Sequence, residues 1–355
     1  MANKTVLAVD VGSTTISAAI AGGNHTEPRL LHPARETAVW PAQVNVAADG
    51  SLDCDAAQAT TIISRFTRLL GREAQVIAGF PRHADALVAA ALTPALRSAR
   101  ATLGSNTVDV VAATFPATWP GHIVEAYRRA IEKFAPGEAQ LIPWHEAIAA
   151  QTYPPDPYVD CPVTSLDFGA RSASVTMVRV DPQGRTRSLY SVTHPTAGFA
   201  SVARAVVHEV AIEKDVDLSG CDEVWWDTAI AAVAAGRSEA TRNAANIVRL
   251  MLPAPVNPVA VSYDEITDLF AERLNGVDRV GVIQALVERS PVQKRWTLPG
   301  NPLAARPIVQ LTGGFAEDPA VQATVRHILN AEVLVVDQPA HAAAWGAAKL
   351  TFEGR

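Results

Sequence analysis

Asp10-Val11-Gly12 and Asp167-Phe168-Gly169 are one three-residue pattern at two distant points of the chain. An apolar run precedes each, Thr5–Val9 before the first and Val163–Leu166 before the second. Small hydroxyl residues follow: Ser13, Thr14 and Thr15 after one, Ser172 and Ser174 after the other. A strand that ends in Asp, turns on Gly and returns as a second strand is a hairpin whose backbone N–H groups can cradle phosphate. The Asp can hold a hydrated Mg²⁺ at the same time. Two such hairpins predict a duplicated fold gripping one nucleotide from both sides, with Asp10 and Asp167 as carboxylates that reach the metal through water. Strand-end turn capping is the alternative reading of both aspartates.

Other residues with chemical potential read more plainly. His145, beside Trp144, is expected to be a satisfied, partly buried histidine rather than a catalytic one. Trp225-Trp226 is expected on a half-buried strand with one ring in and one out, ahead of a partner-binding pair. Gly313-Gly314 predicts a close backbone turn with or without a ligand.

The elements that must position these residues follow from pattern. Strands are expected at Thr5–Asp10, Thr15–Ala21 and Arg29–His32, with short strands in Pro41–Asp53 around the turn at Asp49-Gly50. A helix capped by Asp55 is expected to run to Leu70, and further helices at Ala84–Arg100, His122–Phe134 and from Glu146 to Thr152. Val108–Thr114 and Ala139–Ile142 read as strands, and the prolines at 154, 155 and 157 as a boundary. The opening order then repeats: strands at Val163–Asp167, Ala173–Asp181 and Ser188–Thr193. Helices are expected at Phe199–Ile212, Ala229–Leu252 and Tyr263–Arg273. Strand Ile308–Leu311, helix Pro319–Leu329, strand Val333–Val336 and an Ala-rich helix His341–Leu350 close the chain.

At 355 residues the chain suits two lobes better than one core. A net charge of −6 and the absence of any Lys/Arg block argue against a nucleic-acid partner. The three cysteines, Cys54, Cys161 and Cys221, lack metal-ligand spacing, which predicts a reduced, cytoplasmic setting. The apolar start imitates a signal peptide, but Asp10 interrupts it too early. No apolar run approaches the length of about 18 residues expected of a spanning helix.

Several segments, in order and over nearly the whole chain, resemble the ATPase domain of DnaK-type heat-shock chaperones, the seventy-kilodalton class. They are Leu7–Thr15, Val111–Trp119, Leu141–Ala150, Leu166–Ser172, Leu311–Phe315 with Pro319, and Gln338–Ala348. The resemblance implies an α/β, duplicated actin-like ATPase fold (ribonuclease H-like) with two lobes about a central cleft. Lobe I would be residues 1–157, with helix 339–355 packing back on it, and lobe II residues 158–338. It also implies ATP or ADP with Mg, held by Asp10, Gly12, Ser13, Thr14, Thr15, Asp167, Gly169, Arg171, Ser172, Arg249, Gly313 and Gly314.

The family's working residues are nevertheless largely replaced. Its lysine beside the γ-phosphate falls at Gln58, and the chain has no lysine between Lys4 and Lys133. Losing such a charge commonly costs roughly 10²-fold or more in rate. The triple glycine of the second phosphate loop becomes Gly169-Ala170-Arg171, where Arg171 either blocks the phosphate space or supplies a cation. A carboxylate beyond that loop is Ser174. The adenine-stacking Arg is Glu317, and Phe315 replaces a Ser. In the helix expected to reach ribose and adenine, at Ala245–Arg249, only Arg249 matches. The family's linking Glu falls on His145, and a one-residue slip restores it as Glu146.

The expectation is a DnaK-like, actin-fold regulatory or scaffolding module with protein partners and weak or absent ATP hydrolysis. An active ATP-driven chaperone-type switch and a small-molecule kinase of the same superfamily are the alternatives. The sequence stops after the terminal helix, so the chaperones' peptide-binding domain is not expected in the chain as given; the alternative is that it is a piece of a longer protein. The Arg-over-Lys and Ala bias suggests a high-GC, actinobacterial source.

Overall fold

The computed structural model describes residues 4–23, 25–33, 39–53, 61–104, 107–134, 137–152, 161–194, 198–275, 308–329 and 332–354. The chain opens with strands β1 (Val6–Val11), β2 (Thr15–Gly22), β3 (His25–Leu31), β4 (Trp40–Pro41), β5 (Gln43–Val46), β6 (Leu52–Asp53) and β7 (Thr61–Ser64). The hairpin β8 (Gln75–Ile77) and β9 (Phe80–Arg82) leads into α1 (Ala84–Leu103). β10 (Val110–Phe115), α2 (Gly121–Phe134), β11 (Glu138–Pro143) and α3 (Trp144–Thr152) follow. Then come β12 (Cys161–Phe168), β13 (Ala173–Val180), β14 (Thr186–His194), α4 (Phe199–Glu213), α5 (Glu223–Arg242), β15 (Ile247–Leu250), β16 (Val259–Ser262) and α6 (Tyr263–Asn275). β17 (Ile308–Thr312), α7 (Pro319–Leu329), β18 (Glu332–Val335) and α8 (Ala342–Glu353) complete the order. The fold is mixed α/β.

Contacts divide the chain into two units, Met1–Val163 with Met177–Ser191 and Val336–Arg355, and Thr164–Thr176 with Val192–Val335. In the first, the sheet order is β11-β10-β1-β2-β3, with β4 beside β2. β1 and β10 pair in parallel and β1–β2–β3 antiparallel. Val6, Leu7, Ala8 and Val9 are all buried because both faces of the sheet are covered. Leu7 and Val9 join a core with Leu87, Leu92, Tyr127 and Ile131 of α1 and α2. Val6 and Ala8 meet Ala147 and Ala150 of α3 and Ala344, Ala347 and Ala348 of α8. That second face is built from alanines, which lets backbones approach: a Cβ on Gly346 would lie 1.8 Å from the Ala147 carbonyl oxygen.

The second sheet has the order β14-β13-β12-β17-β18, with β12 parallel to β17 and β17 to β18. In the second unit, Leu166, Val309 and Leu311 pack with Val206 of α4, Val233 of α5, Ile266 of α6 and Val325 of α7. Asp222 caps α5, its carboxylate accepting the Trp225 N–H at 2.8 Å.

Three expected elements differ. The helix expected over Asp55–Leu70 is a strand at Thr61–Ser64 followed by a 3₁₀ turn at Phe66–Leu69, with residues 54–60 outside the described chain. The β-branched run Thr61-Ile62-Ile63 pairs with β5, and this outweighs the helical spacing. The helix expected over Ala229–Leu252 ends at Arg242; Ala244 turns with φ 47°, and Ile247–Leu250 alternates outward and inward against β16. Trp225 and Trp226 stand on the first turn of α5, not on a strand. Trp226 is buried beneath Arg204, 4.7 Å from its ring centre, and beside His208.

Candidate functional site

Each Asp-x-Gly motif forms the same turn. The Gly12 N–H donates to the Thr15 carbonyl at 2.9 Å, and the Gly169 N–H to the Ser172 carbonyl at 3.0 Å. The register repeats as well: Asp10 stands opposite Thr114 on the parallel neighbour strand, and Asp167 opposite Thr312.

At the first hairpin the Thr114 hydroxyl donates to the Asp10 carboxylate. Burial pushes the Asp10 carboxyl above the usual carboxylate range, against the Thr114 hydrogen bond and the charge of His341, which pull it down. Burial and the nearby Asp10 push the phenol of Tyr127 up in turn, and its hydroxyl has no hydrogen-bond partner among the described residues. Ser13 is half-buried, while Thr14 and Thr15 are exposed. The Ala42 N–H bonds the Thr14 carbonyl at 2.8 Å and fixes the turn. A carboxylate held this way suits a cation reached through water, since Mg²⁺ keeps much of its hydration shell. Among the described residues, no group of three His, Cys, Asp or Glu side chains is placed to hold a metal.

The second hairpin is engaged from within. The Gly169 and Ala170 carbonyls accept the N–H groups of Phe199 and Ala200 at 3.1 and 2.7 Å, and the Arg171 carbonyl accepts that of Gly198 at 3.2 Å. These are the donors at the start of α4, the end of a helix that favours anions. The Arg171 guanidinium lies 3.5 Å from the Asp227 carboxylate of α5, so it is directed to a partner within the protein. Ser174 is buried and shares a 2.9 Å hydrogen bond with Thr193.

After β17, Gly313 has φ +94°, and a Cβ there would lie 2.3 Å from the Phe168 carbonyl oxygen, so the turn requires glycine. Gly314 has open space around it; the close approach expected of the pair belongs to Gly313 alone. Phe315 stacks on Phe199, ring centres 3.8 Å apart and planes 1° apart. Glu317 is exposed. Arg249, expected on a helix, is an exposed residue of β15. Gln58 lies outside the described residues.

His145 is fully buried, as Nε2 contacts the Ser188 hydroxyl, and desolvation lowers its pKa to about 4. Glu146 accepts the Ser188 N–H at 2.9 Å and its hydroxyl at 2.6 Å, tying α3 to β14. The Ser188 proton is thus directed to Glu146, which leaves His145 Nε2 as the donor to Ser188. Sequence reasoning missed one buried ion pair: Arg237 of α5 is bidentate on Asp318, with the Nη2–Oδ1 bond at 2.8 Å. Its signal was Asp318-Pro319, a helix-start pair, and Asp318 does cap α7.

No protein-family model matches the chain, and no curated protein matches it in sequence. Among the described residues, no helix is long and apolar enough to cross a membrane.

Proposed function

We propose that this chain is a DnaK-like protein of the duplicated actin-like ATPase fold, working as a regulatory or scaffolding module for protein partners with weak or no ATP hydrolysis. The repeated strand order and the repeated Asp-opposite-Thr register support the duplication. The Phe199–Phe315 stack carries the functional reading. It occupies the turn after β17 that the resemblance assigns to the adenosine, with one aromatic ring already stacked on another. The Arg171–Asp227 contact adds to it, because a guanidinium committed to a carboxylate is less able to serve a phosphate. If a nucleotide were held, Asp10 and the Ser13–Thr15 turn would be its first contacts, with Mg²⁺ supplying a positive charge beside its phosphates.

Calorimetric titration of the full chain with MgATP tests the reading: no tight binding and no turnover are expected. Micromolar affinity with steady phosphate release would overturn it. An ATP-driven switch is favoured by one observation, the intact and partly exposed first hairpin. On that reading Arg171→Ala and Gln58→Ala each reduce nucleotide affinity or turnover sharply.

A further inference from the structure

Among the described residues, three large apolar side chains stand further into solvent than any others: Val76 at 76%, Val224 at 73% and Ile212 at 72% exposed. They mark two short surfaces. In the first unit, Val76 and the 57% exposed Ile62 bracket Arg65, Arg68 and Arg72, with Glu73 the single acid between them. Phe66 and Leu70 anchor this turn in the core, and the Arg72 N–H donates to the Leu69 carbonyl at 3.1 Å. Arg68 and Arg72 are exposed and form no ion pair among the described residues. In the second unit, Ile212 and Val224 bracket the α4–α5 connection, where Glu213, Asp215, Asp217, Asp222 and Glu223 are all exposed. Its single base, Lys214, spends its ammonium on the Val256 and Pro258 carbonyls at 3.3 and 3.5 Å. Val216 and Leu218 pack against the core and hold the connection in place. Glu223 is paired with Arg204 at 3.2 Å, but Glu213 and Asp215 have no ion pair among the described residues.

Neither surface is explained by the stability of its own unit. Glu213 closes α4, at the end of a helix that disfavours negative charge, and no base stands in the last turn to offset it. A single exposed aliphatic residue is ordinary, but a pair of them bracketing charge of one sign is the composition of an interaction site. The two surfaces are also opposite in sign and alike in apolar content. We propose that the Ile62–Val76 surface of one copy docks on the Ile212–Val224 surface of another, so that the chain associates with itself through two different faces. The arginines meet the carboxylates, and the two aliphatic pairs cover one another. Exposed ion pairs are individually weak, so the apolar contact supplies cohesion while the charges select the partner and speed the encounter. A nucleic acid would satisfy the arginines but not Ile62 and Val76, and the net charge of −6 repels it at a distance. The contact uses none of the hairpin residues, so its failure would leave the nucleotide reading untouched.

Sedimentation velocity on the full chain is the test. At about 0.05 M salt the mean mass is expected to rise with protein concentration, and at about 0.5 M salt the association should weaken about tenfold or more. The double variants Arg68→Glu with Arg72→Glu, and Glu213→Lys with Asp215→Lys, should each stay monomeric alone, because like charges then face each other. Mixed in equal amounts they should associate again, since each keeps the face that the other has lost. That recovery belongs to a contact between two different surfaces; a change in folding would not produce it. Circular dichroism and a Tm matching the parent chain certify both variants. A monomeric mass at every concentration, association indifferent to salt or to either reversal, or a mixture of folded variants that stays monomeric would each overturn the proposal. A monomer that instead binds a single-stranded oligonucleotide through Arg68 and Arg72 would assign the basic surface to a polyanion and overturn it likewise.

Discussion

His145 shows how burial alone sets a residue's role. Its pKa falls to about 4 because the folded protein offers no compensation for a charged imidazole. The unfolded chain binds a proton at an ordinary histidine pKa of about 6.5, so between that value and 4 the unfolded state holds more protons. Stability from this site is therefore complete above about pH 6.5 and drains away as the pH falls towards 4, about 3 kcal/mol at the lower end. Urea titrations across that range should show a slope that flattens in His145→Gln, which retains a donor for Ser188. Arg237 and Asp318 make the complementary case: two buried charges paired with each other, with Thr267 and the Tyr263 ring also against the guanidinium. Truncating one, as in Asp318→Ala, strands the other and should cost about 3–5 kcal/mol of unfolding free energy. A loss below about 1 kcal/mol would mean that the pair is open to water.

At the scale of elements, small residues decide how closely backbones meet. Gly346 of α8 sits against the Ala147 carbonyl of α3, and a methyl group there would lie at 1.8 Å. Gly346→Ala should therefore lower stability by about 3 kcal/mol or force the two helices apart, whereas Ala343→Gly on the same helix should cost about 1 kcal/mol. Gly236 plays the same part under β15, with the Arg249 carbonyl 2.3 Å from its virtual Cβ. Where one period dominates, elements were legible in sequence: β1, β2, α1 and α7 lie within a few residues of expectation. Where two periods compete, they were not. Ile247–Leu250 carries the strand alternation, but four residues are too few to stand out beside a long alanine-rich helix. Trp225-Trp226 suggested a strand by type, and Asp222, the cap three residues upstream of Trp225, was the signal that α5 starts there.

For the whole molecule, the candidate hairpins were legible because Asp-x-Gly marks a turn by chemistry that needs no neighbour. What surrounds them was not: the Phe199–Phe315 stack and the Arg171–Asp227 contact join residues far apart in sequence, and no local pattern announces them. A ligand that binds only the folded state at a hundred times its Kd stabilises it by about 2.7 kcal/mol, so MgATP at millimolar concentration is a sensitive probe. No rise in Tm is expected, and a rise of several degrees would count against the scaffolding reading. The hydrogen bonds from Gly198, Phe199 and Ala200 to the second hairpin's own carbonyls also set a tempo. These amides exchange with deuterium only when the first turn of α4 opens, so their exchange reports the frequency of that opening. Any anion that competes for them must wait for the same event, and its association rate would level off at the opening rate instead of rising with concentration.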